Sequence, residues 1–278
     1  MTEVTAHSGL LSRTKVHVED TGGSGRPVVL IHGWPLSGES WDGQVPALTA
    51  AGYRAVRYDR RGFGRSDKPK GGYDYDTLSD DLDGVLNELD LHDVTLVGFS
   101  MGGGEVARYV SRHGEDRLHS VVFAAAVTPY MAKTDDNPDG PLSQQQADEM
   151  TKAVEADQGA FFEQFTTGFF SANGILKVTA EQRATALALC HQADPGAVLA
   201  CMESFGTTDF REDLLKVTVP TLVLHGDSDA IVPFEGSGQR THAAIPQSEL
   251  VVLRDAPHGC NVSHQQEFNA ALTSFLSR

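Results

Sequence analysis

Cysteine is scarce in this 278-residue chain, which has three: Cys190, Cys201 and Cys260. The odd count, with no pair at metal-binding spacing, excludes a disulfide-stapled scaffold and a structural zinc site. Basic residues are also few. Lys and Arg total 22 against 38 Asp and Glu, a formal net charge of −16, so nucleic acid phosphates and anionic membranes would repel the chain. No apolar run reaches the roughly 18 residues of a membrane span. Also absent are G-x-x-x-x-G-K-[ST], H-E-x-x-H and a dinucleotide fingerprint after the first core strand, and no metal or other cofactor is expected. Gly62-Phe63-Gly64-Arg65-Ser66 resembles a phosphate loop only superficially and reads as a tight loop, with Asp59, Arg60 and Arg61 braced against neighbours. The first sixteen residues, MTEVTAHSGLLSRTKV, lack the basic start and apolar core of a secretory leader. With the cysteine count, this gives the expectation of a soluble cytoplasmic protein that binds neither nucleic acid nor membrane.

Apolar residues make up 40% of the chain, enough for a large core. They fall in short runs: 28–31, 53–58, 94–99, 118–127, 219–225 and 250–253. Continuous Val/Ile/Leu runs, rather than clean alternation, suit strands covered on both faces of a mostly parallel sheet. Helical patterns lie between them. Leu78, Leu82, Val85, Leu86 and Leu89 form one stripe, Ser40–Ala51 ends at Gly52, and Phe268, Leu272, Phe275 and Leu276 share a face near the end. Alternating strand and helix predicts an α/β fold with right-handed crossovers.

One segment breaks the alternation. No strand is expected from about 128 to 217. The segment opens on a turn-rich stretch, Thr134–Pro141, and continues in helical patterns. The expected organisation is therefore a core of 1–127 and 218–278 with an inserted helical cap, 128–217. Phe161, Phe165 and Phe169 recur at i, i+4, i+8 in this cap. That stripe suits either cap core or the lining of a substrate pocket.

The chemistry concentrates at Gly98-Phe99-Ser100-Met101-Gly102, a G-x-S-x-G between an apolar strand and a helix. Small residues two before and two after the serine permit a sharp strand-to-helix turn that exposes the Ser100 hydroxyl, at a helix N-terminus that favours developing negative charge. A nucleophilic serine needs a base, and His258 follows the last expected strand. The third member should follow the preceding strand, where Gly226-Asp227-Ser228-Asp229 offers two carboxylates. Asp229 lies further into the loop, pinned by Ile231-Val232-Pro233, and is chosen; Asp227 suits a turn brace. The chain order Ser100, Asp229, His258 is that of the nucleophile-elbow architecture. His32 and His225 precede the acid and read as structural. His258 would take the Ser100 proton, and Asp229 would fix the tautomer of His258. Two oxyanion donors are expected: the backbone N–H of Met101, and that of Trp34 in His32-Gly33-Trp34-Pro35. Cys260 is given no chemical role.

With these elements in place, the chain resembles the α/β-hydrolase family. Within it, the likeness is to the cofactor-free branch of bacterial aryl esterases and non-haem haloperoxidases, or perhydrolases. The resemblance spans nearly the whole chain. It rests on VVLIHGWPLSGESW (28–41), YDRRGFGRSDKP (58–69), VTLVGFSMGGGEVARYVSRHG (94–114), PTLVLHGDSDAIVPFE (220–235) and DAPHG (255–259). It implies an apolar acyl pocket under the cap, with Phe165, Phe169, Phe205 and Ile231 contributing. Met131 and Cys260 stand where relatives often carry other apolar groups. It also implies that Pro35, after the oxyanion aromatic, marks the members that pass an acyl group to hydrogen peroxide; a rigid turn is the other reading of that proline. The expected activity is hydrolysis of small carboxylic esters through an acyl-enzyme, with peroxide as a further acyl acceptor. A homo-oligomer is implied by the resemblance alone. A γ-lactam hydrolase on the same triad and a non-catalytic ligand receptor are the alternatives. Serine at position 100 argues against the carboxylate nucleophile of a dehalogenase or epoxide hydrolase.

Overall fold

A computed structural model describes residues 14–278, and residues 2–7 as backbone only. Part of the amino-terminal stretch read above for a leader therefore lies outside the described residues. The strands are β1 (Thr2–His7), β2 (Lys15–Asp20), β3 (Pro27–Ile31), β4 (Arg54–Asp59), β5 (Val94–Phe99), β6 (Leu118–Ala124), β7 (Ser171–Ala172), β8 (Ile175–Leu176), β9 (Thr221–Gly226) and β10 (Glu249–Leu253). Eight form one sheet in the order β1-β2-β4-β3-β5-β6-β9-β10. β1 and β2 pair antiparallel, as do β2 and β4; every other pair in this sheet is parallel. Val28, Val29, Leu30 and Ile31 on β3 and Leu96 and Val97 on β5 are fully buried, because helices cover both faces of the middle strands.

The helices are α1 (Val45–Ala50), α2 (Tyr75–Glu88), α3 (Met101–His113), α4 (Gln144–Ala156), α5 (Gln158–Phe169), α6 (Ala180–Cys190), α7 (Pro195–Thr207), α8 (Arg211–Leu214), α9 (Gly238–Ala244), α10 (Cys260–Ser263) and α11 (Gln265–Leu276). The chain steps from β3 one way to β4, then back across to β5 and onward to β6, β9 and β10. Right-handed crossovers therefore put α2, α3, α8 and α9 on one face and α1 with α11 on the other. The step direction reverses between β3 and β5. Their carboxyl ends open a crevice at this switch point, the place where such sheets bind ligands.

Four features depart from the sequence expectations. The antiparallel β1–β2 edge was not foreseen. The expected helix 40–51 is a short 3-10 turn, Gly38–Trp41, followed by α1; Asp42, Gly43 and Gln44 separate the two, and Pro46, which has no N–H to give, sits in the first turn of the second. β6 stops at Ala124 rather than Val127. The backbone turns at Ala125 (φ 45°), and Val127 N–H bonds to Ser100 O at 3.2 Å instead of continuing the sheet. Finally, the segment between β6 and β9 opens on an irregular stretch, 125–143, with bridges Ala132–Leu142 and Thr134–Asn137, and its helices are then interrupted by the hairpin β7–β8. Its turn is Asn173-Gly174, both with positive φ (53° and 76°), the pairing a two-residue hairpin turn requires.

Candidate active site

β5 delivers Ser100 into the crevice. Its φ and ψ are 54° and −118°, an uncommon conformation for a residue other than glycine, and α3 begins at the next residue. The elbow closes only because its flanks are glycine. A Cβ at Gly98 would lie 2.4 Å from Gly102 O, and one at Gly102 2.6 Å from Ile31 O. Ser100 N–H bonds to Ala124 O at 2.8 Å, which ties the turn to β6.

Ser100 Oγ lies 2.9 Å from His258 Nε2, and His258 Nδ1 lies 2.6 Å from Asp229 Oδ2. Ser100 is 6% exposed and His258 1%. The other Asp229 oxygen accepts the N–H groups of Ile231 (2.9 Å) and Val232 (2.8 Å), so the loop after β9 aims the carboxylate. Burial alone would raise the Asp229 carboxyl. The charge of His258 and hydrogen bonds from His225 and His258 outweigh it, and the group is held well below the usual carboxylate range. Asp227 does not reach the histidine; it accepts the N–H of Asp255 at 2.7 Å and braces the turn. The rings of Phe99 and Phe169 pack on His258 with centroids 5.2 and 5.1 Å away.

The loop after β3 faces the elbow. A Cβ at Gly33 would meet the Phe99 ring at 2.8 Å and Ser100 Cβ at 3.1 Å. Leu36 N–H closes a turn on Gly33 O at 3.0 Å, around Trp34 and a cis-bonded Pro35. Among the described residues, the Trp34 N–H has no acceptor, and Met101 N–H, at the first helical position, has none within its helix. The Trp34 indole donates to Val198 O of α7 at 3.1 Å and meets Phe165 and Phe205 edge-on. Below the loop, His32 Nδ1 lies 2.9 Å from Gly33 O, and its Nε2 accepts Arg60 N–H at 2.9 Å. Burial, followed by the neighbouring Arg60 charge, holds this imidazole well below its ordinary value and therefore neutral. The Arg60 guanidinium reaches Glu105 Oε1 (2.6 Å) and His32 O (2.6 Å). This buried pair thus ties the loop to α3.

A narrow cavity of about 50 Å³ opens between Ser100, His258 and Trp34. Of the pocket residues expected from sequence, Phe165, Phe205 and Ile231 line it. Phe169 stands behind His258 instead, and Pro35 is not among the lining residues. Met131 and Met150 add flexible apolar walls, as do Val127, Leu142 and Val232. A larger cleft of about 570 Å³ between α4 and α7 adjoins it and shares Leu142, Met150 and Phe205. Cys260 is fully buried. Burial, then the Asp229 charge, pushes its thiol above its ordinary range, which suits packing rather than nucleophilic attack. Cys190 and Cys201 are likewise buried, their thiols pushed up to about 12 by burial. Among the described residues no group of three or more His, Cys, Asp or Glu is placed to hold a metal ion, and no helix is long and apolar enough to cross a membrane.

His225, read from sequence as structural, stands beside the acid of the site. It lies 3.2 Å from the same Asp229 oxygen that His258 uses. The available signal was its i, i+4 spacing to Asp229 at the end of a strand.

Known proteins resemble the chain over its whole length. A model of the alpha/beta hydrolase fold matches residues 26–264. A non-heme chloroperoxidase of Kitasatospora aureofaciens is 44% identical over 92% of this chain and 94% of its own. A bifunctional esterase/perhydrolase of Acinetobacter calcoaceticus is 35% identical over 94% and 95%. Among solved structures, a bromoperoxidase from Bacillus anthracis superposes with TM-score 0.96 at 49% identity, covering both chains fully.

Proposed function

The chain belongs to the α/β-hydrolase fold family, and from that premise we propose a serine hydrolase of small carboxylic esters that also transfers acyl groups to hydrogen peroxide. The observation that carries this reading is the unbroken chain from Ser100 Oγ through His258 to Asp229, at 2.9 and 2.6 Å, at the mouth of an apolar cavity. The relatives named as chloroperoxidase, bromoperoxidase and esterase/perhydrolase support it.

In this reading Ser100 Oγ attacks the ester carbon while His258 Nε2 takes its proton. The carbonyl oxygen becomes an oxyanion held by the Trp34 and Met101 N–H groups; losing one such donor costs about 3 kcal/mol of barrier. His258 returns the proton to the alkoxide, the alcohol leaves, and an acyl ester remains on Ser100. Water or hydrogen peroxide then gives its proton to His258 and attacks the acyl carbon. Collapse returns the proton to Ser100 and releases a carboxylic acid or a peracid. A peracid leaving the site would transfer oxygen to halide in solution, giving hypohalite and the carboxylic acid. Asp229 keeps the Nδ1–H tautomer of His258 and stabilises its transient cation. Phe165, Phe205 and Ile231 would surround a short acyl chain, and the 128–217 segment would act as the cap over it. Pro35 would tune the loop toward peroxide.

The test is a panel of short and long acyl esters, with and without peroxide, alongside bromination of monochlorodimedone. The parent protein should turn over short esters and brominate only when an acyl donor and peroxide are both present. Ser100→Ala should lose both reactions; retention of either would refute the assignment. A bicyclic lactam assayed beside p-nitrophenyl acetate separates ester from lactam preference.

A further inference from the structure

We propose that His225 is a positioning residue for the same site: a second imidazole that, through its Nε2–H, anchors the loop carrying Asp229 and keeps that carboxylate aimed at His258. The inference rests on the triad reading above.

His225 is the penultimate residue of β9, four residues before Asp229, and is fully buried. Its Nε2 lies 2.8 Å from Val232 O and 3.2 Å from Asp229 Oδ2. Both neighbours only accept, because a carbonyl has no proton and the Asp229 carboxyl is ionised. Nε2 therefore carries the hydrogen, shared between the two oxygens. Nδ1 is buried with no partner. It packs so closely on α9 that a Cβ at Gly238 would lie 2.5 Å from it. A protonated Nδ1 would be a buried donor without an acceptor, on a charged ring; an unprotonated Nδ1 leaves only a lone pair unmet. The hydrogen is thus assigned to Nε2, with Nδ1 left bare. Phe234, at 5.6 Å, holds its plane from the side.

The result is a carboxylate with every side engaged. Oδ1 takes the N–H of Ile231 and of Val232, while Oδ2 takes His258 Nδ1–H and lies 3.2 Å from His225 Nε2. His225 also grips Val232 O, so one ring fixes both the carboxylate and the loop that aims it. Without it, Oδ2 would lose a donor and the loop an anchor. His258 would then be less firmly oriented toward Ser100, which acts on the chemical step and leaves substrate binding in the cavity intact.

The experiment has two arms. The first uses the parent protein: 15N NMR of histidine nitrogens, with the downfield proton of the His258–Asp229 hydrogen bond. His225 should show the 15N shifts of an Nε2–H tautomer, and a Nδ1–H tautomer would overturn the proposal. The second arm compares His225→Leu with His225→Gln, whose amide can still donate. His225→Leu should lower kcat about tenfold, the size expected of one hydrogen bond to a charged group, with KM within twofold and the downfield proton shifted. His225→Gln should recover most of the rate. Unchanged kcat in His225→Leu, or equal loss in both variants with the downfield proton in place, would overturn it. If the leucine variant does not fold, the tautomer and the glutamine variant still decide. Ser100→Ala keeps the two claims apart: activity surviving in that variant sinks the triad reading, whereas activity that needs Ser100 but ignores position 225 sinks this proposal alone.

Discussion

Asp229→Asn is the substitution whose outcome follows most directly from the hydrogen bonds. In the parent, Oδ1 accepts two backbone N–H groups, from Ile231 and Val232, at 2.9 and 2.8 Å. Those donors belong to the main chain and cannot be reversed. The asparagine must therefore keep its carbonyl oxygen there and turn its NH2 toward His258 and His225. His258 Nδ1, 2.6 Å away in the parent, would then face a donor and have to present a lone pair. Its proton moves to Nε2, the atom 2.9 Å from Ser100 Oγ. A ring with its proton on that side cannot take another from the serine. In a serine hydrolase with this substitution the wrong tautomer costs about 10⁴ in kcat, equivalent to about 5 kcal/mol of barrier. The volume and shape of the side chain are unchanged, so folding should survive, checked by circular dichroism and thermal unfolding. Steady-state hydrolysis of p-nitrophenyl acetate reads the rate. A folded variant within tenfold of the parent kcat would refute the assignment of Asp229 as the residue that fixes the tautomer.

Two further outcomes bear on the scaffold. His32 is buried neutral, with a pKa well below its ordinary value, so unfolding takes up a proton once the pH falls below about 6.5. Parent stability should therefore fall between pH 6.5 and 5 by up to about 1.4 kcal/mol per pH unit from this group. Asp20 and Asp229, held low in the folded state, keep their contributions until the pH falls below the ordinary carboxylate range. Urea unfolding of the parent beside His32→Gln should show the extra slope in the parent alone, and equal slopes would contradict it. Gly98→Ala should lose at least about 2 kcal/mol by overpacking, because the added methyl meets a backbone oxygen at 2.4 Å; Gly71→Ala, with nothing within 4 Å of its Cβ, should stay near the parent in Tm.

Legibility in the sequence followed how local the determining physics is. The elbow was readable because the steric exclusion at Gly98, against Gly102 O, acts within five residues, although the one at Gly102 is set by Ile31 O on β3. The central strands were readable because burial on both faces leaves continuous apolar runs. Asn173-Gly174 carried an unused hairpin signal, set within a segment dominated by helical patterns. Lys15–Asp20 has only Val16 and Val18 as alternating apolar residues, too short a run to announce an antiparallel edge. Phe169 illustrates the limit of periodicity. The stripe placed it on one face with Phe165, but a turn further along the helix it meets His258 and Phe170 instead of the cavity. His225 was set aside because chain order disqualified it as the base, and order along the chain is silent on which second histidine approaches the acid in space.

The central claim is that Ser100 is the acyl-carrying nucleophile for both acceptors, water and peroxide. Intact-protein and peptide mass spectrometry after treatment with a fluorophosphonate tests it most directly. One adduct per chain, located on Ser100 and extinguishing ester hydrolysis and peroxide-dependent bromination in parallel, is the predicted result. Full modification of Ser100 with either reaction preserved, or a stoichiometric adduct on another residue, would contradict it.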